Sequence, residues 1–181
     1  MSITHAEVRE LNGIVASALH DHQVPAFSLS PAGFMTSKGG ILDTLHVEPM
    51  KILLKNRCVP LVHGETLCDS KLGGYIFSTE KVFNSCLSSL RTDYQKITVI
   101  YAMDKNGILD SKGNVISQLK EGDNIEVLGT LDHDISGGIL GKINGARDTL
   151  RFADNVYIVG GKNKGAILKA ANGLKVGTRI I

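Results

Sequence analysis

The amino-acid sequence predicts an α/β fold, a three-layer α/β/α sandwich around a mainly parallel sheet. Short, continuous apolar runs at 58–62, 97–102 and 155–159 are typical of strands buried on both faces of such a sheet. Apolar residues spaced three and four apart alternate with these runs and indicate helices. Twenty glycines against four prolines suit many tight turns. A chain of 181 residues fits one domain, so we expect a single domain over residues 1–181.

Local signals give the approximate bounds of the helices. Thr4 and Glu7 have the spacing of a capping box, which predicts a helix that begins after Thr4 and ends near residue 21. Pro49 occupies the favoured first position of a second helix. Gly173 follows the last short helix as its C′ glycine. After the first helix, the remaining ones are expected over 48–56, from Ser78 or Thr79 to 90, from 136 to 150, and over 166–171.

Strands are expected between the helices, each ending in turn-forming residues. A hairpin should pair 107–109 with 115–116 around a turn. Polar loops are expected around Lys38-Gly39-Gly40, as a surface loop or a mobile substrate lid, and over 118–133. The expected strands cover 24–29, 58–62, 97–102, 155–159 and 177–181.

Composition excludes several function classes. The net charge is +2 without a long basic run, so nucleic acid is not an expected partner. No segment has the apolar length of a membrane span, and the start lacks the pattern of a signal peptide. Cys58, Cys68 and Cys86 are odd in number and form no C-x-x-C pair, which favours free core thiols in a reducing compartment. We therefore expect a cytoplasmic protein without membrane contact.

The strongest local motif is a glycine pair at the expected start of the fourth helix. Gly137 and Gly138 expose backbone N–H groups where the helix dipole favours an anion, and Lys142 lies one turn further along. Asp134 just outside the helix could hold a lysine or a metal. The spacing suits phosphate, and an ordinary N-cap with a glycine turn is the alternative.

Three expected strands end in residues of possible function. These are His63-Gly64-Glu65, the turn from Asp104 to Gly107, and Gly160-Gly161. Ligands of open parallel sheets bind beyond the carboxyl ends of the strands, so these ends should converge on one rim. His20-Asp21-His22 and Asp132-His133-Asp134 have the residue types of a metal site, but no other segment completes one. We expect no metal site built from side chains alone.

Several motifs together resemble the amino acid kinase family, and within it the isopentenyl phosphate kinases, with fosfomycin-resistance kinases as near relatives. The matching stretches occur in family order and span essentially the whole chain. The segments that carry the resemblance are Leu11-Asn12 with Pro25-Ala26 and Ser30-Pro31, Val59 to Glu65 against V-P-V-L-H-G-D, Gly74 to Glu80 against G-x-x-I-L-S-G-D, Asp104 to Ile108 against T-D-V-D-G-V, Asp134 to Lys142 against D-x-T-G-G-M-x-x-K, and Gly177 to Ile180 against G-T-x-I.

The resemblance implies transfer of the γ-phosphoryl group of ATP, with Mg²⁺, to a phosphate or carboxylate acceptor in a homodimeric enzyme, with isopentenyl phosphate as the leading acceptor. It implies that Lys142 neutralises charge on the transferring phosphate and that Asp134 organises the active-site lysines. Gly137 and Gly138 would offer N–H groups to phosphate, and Gly64 would lie beside the acceptor. The implied nucleotide-binding residues are Asp104, Gly107, Lys142, Gly160 and Gly161.

Departures from the family pattern accompany the matches. The family's opening K-x-G-G-S and H-G-x-G-S-x-G-H segments have no counterpart in these 181 residues. We therefore expect the C-terminal three quarters of the family fold. Three interpretations stay open: an ATP-dependent kinase of a small phosphate, a catalytically silent relative that binds nucleotide or phosphate, and an oligomeric scaffold that uses an unpaired sheet edge.

Overall fold

The structure, a computed structural model, describes residues 2–120, 122–123 and 138–181. The chain divides into two compact units, Met1–Thr92 and Asp93–Ile181, here named unit 1 and unit 2. Helices alternate with strands, and each unit contains parallel strand pairs. The predicted α/β class is therefore confirmed, whereas a single domain stays a prediction.

Unit 1 contains three helices, a two-stranded sheet and a four-stranded sheet. Strands β1 and β4 pair in parallel, and the larger sheet has the order β3-β2-β5-β6. In that sheet β2 and β5 are parallel, while the other two pairs are antiparallel. The elements are α1 Ser2–Asp21, β1 Ala26–Ser28, β2 Met35–Lys38, β3 Ile41–Leu45, α2 Glu48–Lys55, β4 Val59–Leu61, β5 Glu65–Asp69, β6 Gly73–Phe77 and α3 Thr79–Leu90.

Two predictions for unit 1 need correction, and one hairpin was missed. The first helix begins at Ser2, so Thr4 lies inside it and is not its N-cap. The segment around Gly39 and Gly40 is no free loop but the turn of the β2–β3 hairpin, since φ is +62° and +79° at these glycines, as a tight two-residue hairpin turn requires. The β5–β6 hairpin was not predicted at all, because its strands mix buried polar and apolar residues.

The core of unit 1 lies between the four-stranded sheet and the helices α2 and α3. Helix α3 buries Val82, Cys86, Leu87 and Leu90, and Ser78 caps that helix by accepting a hydrogen bond from the backbone N–H of Lys81 at 3.3 Å. Burial of these apolar side chains supplies the main driving force for folding. The core residues are Phe34, Met35, Met50, Leu67, Phe77, Val82, Cys86 and Leu90.

Unit 2 is built on a second four-stranded sheet of order β7-β9-β10-β8. Strands β7 and β9 run parallel, and β10 runs antiparallel to β9 but parallel to β8. Helix α5 packs on β7 and β9, and helix α4 packs on β9. The elements are β7 Thr98–Met103, β8 Gln118–Leu119, α4 Gly138–Thr149, β9 Asn155–Gly160, α5 Ala166–Ala171 and β10 Thr178–Ile180.

Turns in unit 2 largely follow the sequence signals. The predicted hairpin is reduced to one bridge, Leu109 with Val115. Residues 118–119 form β8 within the segment that was predicted as a loop, a correction that reflects pairing with the distant β10. Gly173 has φ +72° and ends α5 in a Schellman motif, because the N–H of Leu174 reaches the carbonyl of Lys169 at 2.9 Å.

Candidate functional site

Two neighbouring strand ends bring four of the predicted nucleotide residues together in unit 2. Met103, the last residue of β7, is in register with Gly160, the last residue of β9. The N–H of Gly161 donates a 2.8 Å hydrogen bond to the carbonyl of Met103. The turn that holds Asp104 and Gly107 therefore lies beside the Gly160-Gly161 turn. This edge is where ligands of parallel α/β sheets bind.

Side chains connect these two turns. The Asn163 side-chain amide donates to Oδ1 of Asn106 at 2.8 Å. A Cβ on Gly160 would come within 2.9 Å of the Asn163 side chain and 3.1 Å of the Asn106 Cα, so glycine permits the close approach of the turns. At the rim, Lys162 Nζ lies 3.3 Å from Asp104 Oδ1. An ion pair this exposed contributes little to stability, so Lys162 is free to turn toward a bound phosphate.

Lys142 lies in the N-terminal half of α4. Residues 150–154 return the chain from the end of α4 to the start of β9, on which the helix packs. The helix and the strand therefore run in opposite directions, and the Gly138 end of α4 is directed toward the carboxyl edge of β9. The Tyr101 hydroxyl anchors the other end through a 2.6 Å hydrogen bond with Thr149. Asp134 and Gly137 lie outside the described residues.

Gly64, the predicted acceptor-side residue, belongs to unit 1. Its N–H donates to Oγ1 of Thr79 at 3.1 Å. An added Cβ would lie 2.9 Å from the backbone nitrogen of Thr79, so the contact with the start of α3 requires glycine. The predicted convergence of strand ends is met for the two in unit 2, and that of His63-Gly64-Glu65 with them stays a prediction.

Beside Gly64, a buried carboxylate is held by residues that the sequence reasoning did not connect. Glu65 is only 2% exposed. Its Oε1 accepts hydrogen bonds from His5 Nδ1 at 2.9 Å and from the Thr66 N–H at 3.0 Å, and its Oε2 accepts one from the Ser30 hydroxyl at 3.0 Å. Burial alone raises the pKa of Glu65, but these hydrogen bonds outweigh it and hold the pKa below its ordinary value.

A polar cavity of about 410 Å³ opens next to this carboxylate, between α1 and the ends of β1 and β4. His63 Nδ1 lies 3.0 Å from the carbonyl oxygen of Gly64 and 3.9 Å from Glu65 Oε2. The sequence signal that could have suggested this cavity is the polar face of the first helix, which repeats at helical spacing. The cavity is lined by His5, Arg9, Asn12, Gly13, Ser28, Ser30 and His63.

A side-chain metal centre is absent from the part of the chain that the structure describes, where no three His, Cys, Asp or Glu residues form a metal-binding group. The two histidines near the end of α1 instead make local contacts, His20 with the carbonyl of Ala26 and His22 with that of Ala18, each at 2.9 Å. Over the same described ranges, no helix has the length and hydropathy needed to cross a bilayer.

Solved structures that match this chain include isopentenyl phosphate kinases. One superposes with a TM-score of 0.74 at 23% identity, and the match covers 99% of this chain and 68% of that chain. The product complex of the T. acidophilum isopentenyl phosphate kinase superposes with a TM-score of 0.73 at 17% identity, covering 99% and 70%. These matches establish the fold.

Proteins that are similar in sequence also include isopentenyl phosphate kinases. The isopentenyl phosphate kinase of Methanocaldococcus jannaschii is 27% identical over 179 residues, and that of Methanothermobacter thermautotrophicus is 29% identical over 192 residues. The acetylglutamate kinase of Campylobacter curvus is 27% identical over 124 residues, which covers 68% of this chain and 42% of that protein. The chain is therefore similar to amino acid kinases in sequence and in fold.

The chain spans about two thirds of the length of these isopentenyl phosphate kinases. The alignments cover 96% and 99% of the chain but 64% and 70% of the Methanocaldococcus and Methanothermobacter kinases. No protein-family model matches the chain. The similarity therefore rests on pairwise sequence comparison together with the shared fold.

Proposed function

We propose that the chain is part of an ATP-dependent kinase that phosphorylates a small-molecule phosphate, with isopentenyl phosphate as the leading acceptor. The observation that carries the proposal is similarity to two isopentenyl phosphate kinases over 96% and 99% of the chain. The glycine-rich edge formed by the ends of β7 and β9 supports a nucleotide site in the same chain. Enzymes of this chemical type act mainly by positioning phosphates and neutralising their charge.

Each predicted site residue has a role in this proposal. The turns that hold Asp104, Gly107, Gly160 and Gly161 would border the nucleotide. Lys142, in the N-terminal half of α4, would neutralise the charge of the transferring phosphoryl group. Gly137 and Gly138 would donate N–H groups to phosphate at the start of α4, Asp134 would orient the lysines, and Gly64 would lie beside the acceptor.

Mg²⁺ fits this proposal only as an ion carried by phosphate. The described residues offer no cluster of three ligands, and protein-bound Mg²⁺ commonly takes one or two carboxylates plus substrate phosphate oxygens. Asp104, on the nucleotide edge, is the described carboxylate that could contribute one such contact. A homodimer and a cytoplasmic location complete the proposal.

A second candidate function is nucleotide binding without catalysis. A catalytically silent nucleotide-binding protein, or an oligomeric scaffold, would keep the edge in unit 2 without turnover. The two functions differ in whether bound ATP is consumed.

The first test is thermal unfolding with and without excess Mg-ATP or Mg-ADP. Nucleotide at 100 times its dissociation constant should stabilise the fold by about 2.7 kcal/mol, which raises the melting temperature by a few degrees. Lys142→Ala should remove most of this shift, and Lys175→Ala, an exposed lysine in the same unit, should retain it. An unchanged shift in Lys142→Ala would refute the assigned site.

The second test is ADP release from Mg-ATP in the presence of isopentenyl phosphate. Release that depends on the acceptor and is lost in Lys142→Ala supports the kinase. Nucleotide-dependent stabilisation without any ADP release supports the silent binding protein. If millimolar nucleotide produces neither stabilisation nor ADP release, both the kinase and the silent binding protein are refuted, and the oligomeric scaffold remains.

A further inference from the structure

The polar cavity beside α1 has an unusual lining that the proposed kinase chemistry does not use. Its wall carries Arg9 and two histidines, His5 and His63, together with hydroxyl and amide groups. None of its lining residues is acidic, and none has an aliphatic or aromatic hydrocarbon side chain. Such a lining favours a negatively charged, polar ligand, because charge-assisted hydrogen bonds are the strong ones.

Asn12 adds a further polar group to the cavity wall. The residue is only 8% exposed and is one of those that line the cavity. A side-chain amide can donate and accept hydrogen bonds, so Asn12 can donate to an oxyanion bound beside Arg9.

The geometry of His5 explains how an anion is tolerated close to the carboxylate of Glu65. Oxygens of Glu65 already accept hydrogen bonds from His5, Ser30 and the Thr66 N–H. Because Nδ1 of His5 is engaged with the carboxylate, Nε2 is the nitrogen left for another partner. An imidazolium between Glu65 and a second anion would interact favourably with both.

We propose that this cavity binds a tetrahedral oxyanion, either free phosphate or the phosphate group of a small polar ester. Arg9 supplies the planar guanidinium that matches phosphate oxygens in pairs. A volume of about 410 Å³ lies within the range of small-molecule sites and leaves room beyond a single phosphate. An aliphatic tail such as that of isopentenyl phosphate would find no apolar side chain there. All lining residues belong to unit 1, so the proposal does not depend on the nucleotide site in unit 2.

Isothermal titration of the full chain with inorganic phosphate, at constant ionic strength and without nucleotide, tests the proposal. Saturable binding is expected. Arg9→Gln should weaken it about tenfold, as expected for loss of a hydrogen-bonded charge. Arg9 is exposed on its helix, so the substitution should leave the fold intact. Arg57→Gln removes an equally exposed arginine of unit 1 outside the cavity and should bind phosphate like the parent.

Two further titrations identify the ligand and show whether phosphate binding in the cavity is independent of the nucleotide site. Glycerol 3-phosphate binding more tightly than phosphate indicates an ester, whereas equal or weaker binding indicates the free ion. Lys142→Ala should bind phosphate unchanged even where it loses nucleotide. Absence of saturable phosphate binding, or equal affinity in Arg9→Gln and Arg57→Gln, overturns the proposal. Asn12→Asp, which adds a carboxylate to the wall, should abolish binding, and retained affinity there would also overturn it.

Discussion

Replacing Glu65 by glutamine tests whether the buried carboxylate stabilises unit 1 as a charge. Glutamine has nearly the same shape and can keep one acceptor oxygen toward His5 and the Thr66 N–H. Its amide nitrogen would then face the Ser30 hydroxyl, which accepts a hydrogen bond in place of donating one. The substitution therefore removes the charge while leaving the packing of the site almost unchanged.

The expected loss follows from the three hydrogen bonds at Glu65. Hydrogen bonds to a charged group contribute about 1.5–3 kcal/mol, against about 0.5–1.5 kcal/mol for neutral pairs. Losing about 1 kcal/mol at each bond is partly offset, because a neutral amide avoids the cost of desolvating a carboxylate. We expect Glu65→Gln to lower the free energy of unfolding by about 2 kcal/mol at neutral pH.

The difference in unfolding free energy between the parent and Glu65→Gln should depend on pH in a direction that the lowered pKa predicts. Because the pKa of Glu65 is lowered in the folded state, the charged carboxylate stabilises the fold fully above its unfolded value of 4.5. That contribution is lost as the pH falls through the folded pKa. The gap between parent and Glu65→Gln should therefore be constant from pH 7 to about 5.5 and close below about 4.5.

Urea unfolding followed by circular dichroism at several pH values measures this gap. Glu10→Gln, an exposed glutamate of α1, is the matched control and should change stability by less than about 0.5 kcal/mol. A Glu65→Gln protein as stable as the parent at pH 7 would refute the reasoning, since desolvation would then outweigh the hydrogen bonds. A gap that widens in acid would contradict the lowered pKa.

Two further predictions concern unit 1. Asp69 accepts hydrogen bonds from the Ser37 hydroxyl and from four backbone N–H groups, which overcome the effect of burial and lower its pKa. Asp69→Asn should therefore reduce the melting temperature by several degrees and speed hydrogen exchange at Gly39 and Gly40. Unchanged exchange at these two glycines would argue against this role of Asp69. Burial raises the pKa of Cys86 to about 11, so iodoacetamide at pH 8 should modify exposed Cys68 well before Cys86, as peptide mass mapping can check.

Much of the fold could be predicted because its signals are local. The run 97–102 and the run 155–159 are rich in apolar and β-branched residues, and they form the strands β7 and β9, which pair in parallel in unit 2. Ser78 and Gly173 carry cap chemistry that depends only on a few neighbouring residues. The family motifs likewise led to the fold that the solved relatives share.

The candidate site was less accessible from sequence. Asp104 and Gly160 were matched to family motifs, and the parallel register of β7 and β9 brings them together. The cavity beside α1 was missed, because Arg9 and Asn12 look like ordinary polar positions of a helix until the strands that face them are known.

By itself, the sequence determined the alternation of helices and strands, the caps at Ser78 and Gly173 and the resemblance to amino acid kinases, since these depend on periodicity and on short motifs. Only the tertiary structure decided that His5 forms a hydrogen bond with Glu65, sixty positions away, and that Asp69 accepts hydrogen bonds from the N–H groups of the β2–β3 turn. The physical reason is that a buried polar group must find partners wherever packing brings them. The spacing of residues along the sequence does not indicate which partners a buried polar group will have.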